Sequence, residues 1–276
     1  MWKTVFGDPD DYMELYFRWK YRPENTLIYM EEGKAVSSLQ MLSYSFTFCE
    51  TEIPVIYLSG VCTLPAYRGK GFSRKLLSKS FDVAAHRKVP LMLLVPQEEW
   101  LLGFYDQQGF ARSFDPGTTV LPSLKVFTEK HPGDLSAAYN EFNALFRQQE
   151  MTVQKSHLDF QAMVEEAALF DFPPKRKLIG MARVIDVERL LSLFGDHYRR
   201  HSFTVDVQDE LLSANNASFT VNKGIATRDG QSGEDSLRLN IRKLTQLLLG
   251  YHTSEEDEPL RSIFPEKNPS MSYMLE

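Results

Sequence analysis

Along the first part of the chain, the spacing of hydrophobic positions changes from that of a helix to that of strands. Residues 9–20 follow Asp8 and place apolar side chains at helical intervals, which predicts a first helix. Two alternating stretches, 25–32 and 34–50, flank a turn and predict an antiparallel pair of strands. The nearly continuous apolar stretch 53–64 predicts a central strand that is buried on both faces.

From residue 65 onward the pattern alternates between helix and strand. A glycine-bearing turn leads into a long amphipathic helix, and an apolar strand follows at 89–96. The stretch 98–108 predicts a helix that ends at Gly109, after which a last strand begins. Strand, turn, helix, strand, helix and strand in this order predict an α/β unit that is complete by about Lys125.

The second half of the chain combines helices with short strands. The predicted elements are helices at 134–149 and 156–169, a strand at 179–186, a helix at 187–198, a meander of strands at 202–209, 217–228 and 236–241, and a helix at 243–250. The predicted fold class is therefore α/β (α+β). We expect a central mixed sheet in residues 1–125, a helical connecting region in 126–178 and an α+β domain with an ordered tail in 179–276.

Composition and charge narrow the possible functions. The 276 residues are 43% hydrophobic and 25% charged, which is typical of a folded globular protein. The net charge of -6 argues against nucleic-acid binding and suits a cationic substrate, although many cytosolic proteins share it. Cys49 and Cys62 form no pattern typical of a disulfide or a zinc site, so we expect no metal. Without a signal peptide or a stretch that could span a bilayer, we expect a cytoplasmic protein that does not bind membranes.

The turn after the central strand has the composition of a phosphate-binding site. A glycine-bearing turn at a helix start directs free backbone N–H groups at one point, where the helix dipole favours an anion. Gly69 and Gly71 leave room for the anion, and the basic side chains Arg68, Lys70 and Arg74 add charge. Because cations are unfavourable at a helix start, we interpret them as anion ligands rather than as a solvated basic surface.

Two common phosphate-binding loops do not fit this turn. A dinucleotide fingerprint needs a glycine where Arg74 stands, and a nucleotide-triphosphate loop needs Ser or Thr where Gly71 follows Lys70. The pattern that remains is Arg/Gln-x-x-Gly-x-Gly/Ala of the GNAT superfamily of N-acetyltransferases. Arg68, Gly71 and Ser73 resemble this pattern.

The resemblance implies a site for acetyl-CoA. Strand residues 61–63 would pair with the pantetheine arm, and the turn would hold the pyrophosphate of coenzyme A. The segment GFYDQQGF at 103–110 is similar to a second superfamily segment and contains Tyr105, whose hydroxyl would protonate the departing thiolate. Taken alone, Tyr105 could instead be a partly buried tyrosine bonded to a nearby carbonyl. The predicted cofactor-binding residues are Val61, Cys62, Thr63, Arg68, Gly69, Lys70, Gly71, Phe72, Ser73 and Arg74.

The carboxy-terminal half resembles the sterol-carrier-like domain that ends the enhanced intracellular survival family of acetyltransferases. The similarity lies in GMARVIDVERLL, the strands within 203–221, LTQLLLGY and the proline-bearing run 264–269. That family has a second, degenerate acetyltransferase domain in between, and the roughly 55 residues of 126–178 would be a remnant of it. The resemblance also implies a homo-oligomer and a terminal carboxylate, here that of Glu276, as the catalytic base. The alternative for this terminus is a frayed tail.

These features together predict an acetyl-CoA-dependent N-acetyltransferase in which a primary amine attacks the thioester directly in a ternary complex. The acceptor would be a small polycation or a lysine side chain. The alternative is a non-catalytic binding module that keeps the acyl-CoA ligand without turnover. In that case the sterol-carrier-like domain would supply the recognised surface.

Overall fold

Helices cover two mixed sheets in the structure, a computed structural model that describes residues 1–147, 149–228, 233 and 236–275. The strands are β1 (Thr26–Glu31), β2 (Lys34–Phe48), β3 (Thr51–Thr63), β4 (Leu91–Leu94), β5 (Ala111–Phe114), β6 (Thr152–Gln154), β7 (Gly180–Val184), β8 (Ser202–Gln208), β9 (Ala217–Asn222), β10 (Ile225–Arg228) and β11 (Leu237–Asn240). The helices are α1 (Trp2–Phe6), α2 (Asp10–Lys20), α3 (Phe72–His86), α4 (Trp100–Asp106), α5 (Leu124–Lys130), α6 (Leu135–Phe146), α7 (His157–Leu169), α8 (Val187–His197), α9 (Ile241–Leu248) and α10 (Leu260–Ile263). No helix in the described part of the chain is long and apolar enough to cross a membrane.

The larger sheet is mixed and has the strand order β1-β2-β3-β4-β7-β5, with β6 paired to β2 as well. The hairpin of β1 and β2 turns at Glu32 and Gly33, and both residues have positive φ. Strand β3 runs antiparallel to β2 and parallel to β4 in the middle of the sheet. This arrangement confirms the predicted strand pair and the central position of the third strand.

Strand β7 ties the second half of the chain to the larger sheet. It lies between β4 and β5 and runs antiparallel to both of them. The sequence pattern predicts a strand here but assigns it to segment 179–276. In the structure, β4 and β5 do not pair with each other. The backbone of β7 lies between them and so completes the sheet of the first segment. The boundaries at 125 and 178 remain predictions.

Different elements cover the two faces of the larger sheet. On one face α3 packs through Leu77 and Phe81 against residues of β3 and β4 such as Leu58 and Met92. The other face is covered by α2, α8, α9 and the carboxy-terminal segment, in which Met271 is fully buried. Alternate side chains along each strand point to opposite faces, and this alternation separates the two cores.

The smaller sheet has the strand order β10-β9-β8-β11. Strand β8 pairs antiparallel with β9 as predicted, but the stretch 217–228, predicted as one strand, is a hairpin of β9 and β10, and β11 runs parallel to β8. The prediction of a simple meander is therefore wrong for its last strand, because a parallel neighbour requires a crossover instead of a hairpin. The crossover brings Leu239 into the core and places Asn240 as the N-cap of α9.

Helices α5, α6 and α7 form a separate aromatic cluster. Helices α6 and α7 match the two predicted helices and begin at the capping residues Asp134 and Ser156. Helix α5 and strand β6 were not predicted. The Phe142 ring lies 5.0 Å from Phe160 and 5.3 Å from Tyr273, so the carboxy-terminal segment packs into this cluster.

Candidate active site

A cleft opens beside β3 at the point where β4 ends. The two strands pair until Leu58 and Leu94, and β3 then continues to Thr63 without a described strand on that side. The cleft has a volume of about 520 Å³. Because backbone N–H and C=O groups form hydrogen bonds when they can, the unpaired edge of residues 59–63 is available to hydrogen-bond a ligand.

A β-bulge lies in this part of β3. The pairing with β2 shifts between Ser59 and Cys62, where β3 has one extra residue. Gly60 lies in the bulge with a φ of +59°, and a Cβ there would lie 2.2 Å from a ring carbon of Trp2. Glycine is therefore required at position 60, and its absent side chain lets α1 pack directly on the strand beside the cleft.

The turn between β3 and α3 presents free backbone donors. Gly69 and Gly71 both have a φ of +77°, a conformation that glycine adopts readily. Gly71 is the N-cap of α3, and because it has no side chain, the first N–H groups of this 15-residue helix lack a side-chain acceptor. A Cβ at either glycine would meet nothing within 4 Å, so the space beside the turn is open. The helix dipole favours an anion in this space.

Three basic side chains surround the same turn. Arg68 Nε donates to a backbone carbonyl of β3 at 3.3 Å, and Arg74 Nη2 donates to Gln107 Oε1 at 3.3 Å. Lys70 Nζ lies 5.2 Å from the ring centroid of Tyr67. Among the described residues none of these three cations forms an ion pair, so their charge is free to act on an anionic ligand.

The cleft brings together all but one of the predicted cofactor-binding residues, the exception being Lys70. The lining residues from β3, the turn and α3 are Val61, Cys62, Thr63, Tyr67, Arg68, Gly69, Gly71, Phe72, Ser73 and Arg74.

The Cys62 Sγ lies 3.3 Å from Ser38 Oγ, and burial raises the pKa of the thiol. Cys62 is therefore protonated at neutral pH, unlike a nucleophilic cysteine.

Tyr105 reaches the same cleft from α4. Its side chain is 6% exposed, and its ring lies 5.1 Å from Phe104 and 6.0 Å from Phe110. The hydroxyl makes no hydrogen bond to the described residues, so no carbonyl among them occupies it. Burial raises the pKa of this hydroxyl above its ordinary value, and the group keeps its proton at neutral pH. A protonated hydroxyl on a residue that lines a cleft can serve as a proton donor to a leaving group.

Two arginines from the second half of the chain support the end of α4. Arg242 Nε donates to the Asp106 carbonyl at 2.7 Å. Arg183 of β7 is 0% exposed and pairs with Asp209 at 2.8 Å, and a Cβ at Gly109 would lie 1.6 Å from its Nη1. The sequence pattern did not indicate these residues, because only the insertion of β7 and the docking of α9 bring them to α4.

Residues of α1 and of the start of α4 also line the cleft and were not predicted. They include Val5 and Phe6, together with Glu98 and Trp100. The Trp100 side chain is 67% exposed, and its Nε1 donates to Glu98 Oε2 at 2.6 Å. The helical spacing of Trp2, Val5 and Phe6 is a signal that could have indicated α1.

The second predicted catalytic residue, Glu276, lies outside the described residues. Met274 and Leu275 before it are buried in the core on the face opposite α3, whereas Tyr105 belongs to the core on the α3 face. The role of the terminal carboxylate stays a prediction. In the part of the chain that the structure describes, no group of three or more His, Cys, Asp or Glu side chains is placed to hold a metal ion.

Two family models match separate parts of the chain. Residues 1–113 match the family model of the acetyltransferase (GNAT) domain, and residues 187–271 match that of the sterol carrier protein domain. Residues 1–113 therefore form an acetyltransferase domain of the GNAT class, whose members use acetyl-CoA. The chain thus contains a GNAT acetyltransferase domain followed by a carboxy-terminal sterol carrier protein domain, which confirms the predicted resemblance. Among curated proteins, none matches the chain.

Solved structures with a similar fold cover nearly the whole chain. A probable N-acyltransferase from Enterococcus faecalis V583 is 12% identical, with a TM-score of 0.73 over 98% of this chain and 94% of that one. A GCN5-related N-acetyltransferase from Anabaena variabilis is 15% identical, with a TM-score of 0.69 over 98% and 94%. Eis1 from Mycobacterium abscessus is 12% identical, with a TM-score of 0.63 over 94% and 93%. The shared fold thus extends through both halves of the chain.

Proposed function

We propose that this N-acetyltransferase moves the acetyl group of acetyl-CoA to a primary amine, which attacks the thioester directly in a ternary complex. One observation carries the proposal: the free edge of β3, the turn before α3 and Tyr105 meet in a single cleft. These three features correspond to the three needs of the reaction, which are holding the cofactor, stabilising the transition state and protonating the thiolate.

The turn and its basic side chains hold the cofactor in this proposal. The N–H groups at the start of α3 donate hydrogen bonds to the pyrophosphate of coenzyme A, and Arg68, Lys70 and Arg74 add charge. The free edge of residues 61–63 pairs with the amides of the pantetheine arm. This binding fixes the thioester beside the bulge of β3 and turns an encounter of two molecules into an oriented reaction.

The reaction then requires two proton transfers and the stabilisation of the negative charge that develops on the thioester oxygen. The amine nitrogen attacks the thioester carbon, and a backbone N–H of β3 stabilises the oxygen as it gains negative charge. The carbon–sulfur bond breaks, and Tyr105 gives its proton to the thiolate. The terminal carboxylate of Glu276 is our candidate for the base that takes the proton of the amine, a role that rests on the family resemblance.

The acceptor in this proposal carries its amine on a small polycation or on a lysine side chain. Glu98 lines the cleft beside the exposed ring of Trp100, and an ammonium group binds both carboxylates and aromatic faces. The net charge of -6 also attracts cations over a longer range. Self-association and a cytoplasmic location remain further predictions.

Calorimetric titration with acetyl-CoA tests the binding part of the proposal. We expect Arg68→Glu to weaken binding by about tenfold or more, since a carboxylate would repel the pyrophosphate. Arg22→Glu is the matched control, because among the described residues the exposed Arg22 guanidinium donates only to the backbone carbonyl of Tyr21, and this variant should bind acetyl-CoA as the wild type does. Absence of binding by the wild type, or equal binding by Arg68→Glu, contradicts the proposal.

Release of free thiol in the presence of a diamine, a triamine and a lysine-containing peptide tests the chemistry. Tyr105→Phe keeps the ring but removes the acid, so the rate should fall by about 10²-fold while acetyl-CoA affinity stays within about twofold. Tyr21→Phe serves as the control and should leave the rate unchanged. If the wild type binds acetyl-CoA but turns over none of the amines, the non-catalytic binding module is the better account.

A further inference from the structure

A second cavity lies away from the acetyl-CoA cleft, between the middle of β2, helix α6 and the segment that leads from β6 into α7. It has a volume of about 410 Å³ and shares no lining residue with the cleft. Its lining residues are Ser43, Tyr44, Ser45, Tyr139, Arg147, Gln154, Lys155, Ser156, His157 and Asp159. Nothing in the proposed acetyl transfer uses these residues.

Lys155 is the unusual member of this lining. Lys155 is only 5% exposed, yet its ammonium group donates only to weak acceptors among the described residues. These are the Met274 Sδ at 3.2 Å and the Val153 carbonyl at 3.5 Å. The Nζ also lies 5.3 Å from the ring centroid of Tyr44. Among the described residues, no carboxylate lies within ion-pair distance of Lys155. A buried lysine normally has such a partner, because desolvation of a charge is costly.

The one carboxylate of the cavity is already occupied. Asp159 forms an ion pair with Lys20 and accepts hydrogen bonds from both the backbone N–H and the hydroxyl of Ser156. Lys20 approaches the same ring as Lys155, at 4.8 Å from the centroid of Tyr44. Two ammonium groups therefore share one carboxylate here. Burial lowers the pKa of Lys155 to about 7, the charge of Lys20 adds to this effect, and the charge of Asp159 opposes it.

The remaining polar groups of the cavity are suited to an anion as well. Arg147 lines the cavity while it pairs with Glu52 at 2.8 Å, and His157 Nε2 lies 3.3 Å from Ser136 Oγ. The hydroxyls of Ser43 and Ser45 add possible donors. The lining thus offers many hydrogen-bond donors in a space of the size that small organic ligands occupy.

We propose that this cavity is a second ligand site that binds a small organic acid, whose carboxylate pairs with Lys155. The body of the acid lies against the rings of Tyr44 and Tyr139. An organic acid fits better than inorganic phosphate, because phosphate would leave the aromatic walls and most of the volume unused. The site is separate from the acetyl-CoA cleft, so its occupancy does not depend on the acetyltransferase activity.

Calorimetric titrations of the full chain with sodium benzoate, sodium succinate and inorganic phosphate test this site. We expect saturable binding of at least one carboxylate, tighter than that of phosphate. Lys155→Met should weaken that binding by about tenfold or more, because it removes the charge and keeps an unbranched side chain of similar length. Lys155→Arg keeps the charge and should retain most of the affinity.

The control is Lys79→Met, because Lys79 is an exposed lysine of α3 whose partner is Asp82 on the same helix. It should bind the carboxylate as the wild type does, and acetyl-CoA titration of every variant confirms that the chain is folded. The proposal fails if neither carboxylate binds, if phosphate binds more tightly than both, or if Lys155→Met binds as well as the wild type. Since acetyl-CoA affinity is read separately, failure here leaves the proposed acetyl transfer intact.

Discussion

Gly109 ends α4 just four residues after Tyr105, and it lies against the buried guanidinium of Arg183. Its φ of +79° ends the helix, and its missing side chain makes room for Arg183, which pairs with Asp209 on the other side. Two requirements therefore act on one residue. The backbone conformation is visible in the sequence as a helix stop, whereas the steric requirement comes from a residue 74 positions away in the chain.

Replacement of Gly109 by alanine separates these two requirements. A Cβ would lie 1.6 Å from Arg183 Nη1, so we expect Gly109→Ala to lower the free energy of unfolding by about 3 kcal/mol. Gly133→Ala is the matched control, since Gly133 has a φ of +77° with nothing within 4 Å, and it should lose only about 1 kcal/mol. Urea denaturation measures both values, and equal losses would show that the contact with Arg183 is unimportant.

At the scale of elements, α4 is held by helix α9 from the far end of the chain. Arg242 donates to the Asp106 carbonyl, and Gln246 Nε2 donates to the Arg112 carbonyl at 2.9 Å. The two bonds fix both ends of the segment that connects α4 to β5. Because Tyr105 directly precedes Asp106, α9 defines where the proposed acid stands in the cleft.

Loss of the Arg242 contact should therefore affect turnover more than cofactor binding. We expect Arg242→Ala to lower the turnover number about three- to tenfold, while acetyl-CoA affinity stays within about twofold, since misplacement of a catalytic group costs rate. Arg238→Ala, an exposed position on β11, is the control and should keep the wild-type rate. Thiol-release kinetics give the answer, and an unchanged turnover number for Arg242→Ala would exclude this positioning role.

At the scale of the whole molecule, the insertion of β7 makes the two halves of the chain depend on each other. Strand β4 pairs with β3 on one side and with β7 on the other, and β5 pairs with β7. Without residues 180–184 the larger sheet would end at β4, with two buried strand edges exposed to water. A chain built in this way should unfold as one cooperative unit.

Truncation and unfolding test this dependence together. We expect fragment 1–125 to lack a cooperative unfolding transition and to bind acetyl-CoA at least about tenfold more weakly than the full chain. In the full chain, fluorescence of the three tryptophans, which all lie in residues 1–113, should follow the same urea transition as far-ultraviolet circular dichroism. A folded fragment that binds acetyl-CoA with full affinity would falsify the dependence.

Much of the site could be predicted because its parts are close in sequence. The strand edge 61–63, the glycine turn and the start of α3 lie within one short stretch, and their backbone geometry follows from local residue types. Tyr105 was found through the segment around it. Glu98 and Trp100 were not, because a charged residue and an exposed ring carry no local signal of a cleft.

The sequence by itself determined the order of most helices and strands, the phosphate-binding turn and the resemblance to acetyltransferases, since periodicity, glycine positions and short motifs are local properties. Only the tertiary structure decided that β7 completes the first sheet, that α9 and Arg183 hold α4, and that Lys155 is buried with no ion-pair partner among the described residues. These arrangements join residues that are far apart in the chain. Their energies come from packing, desolvation and contact geometry, which exist only once the chain has folded.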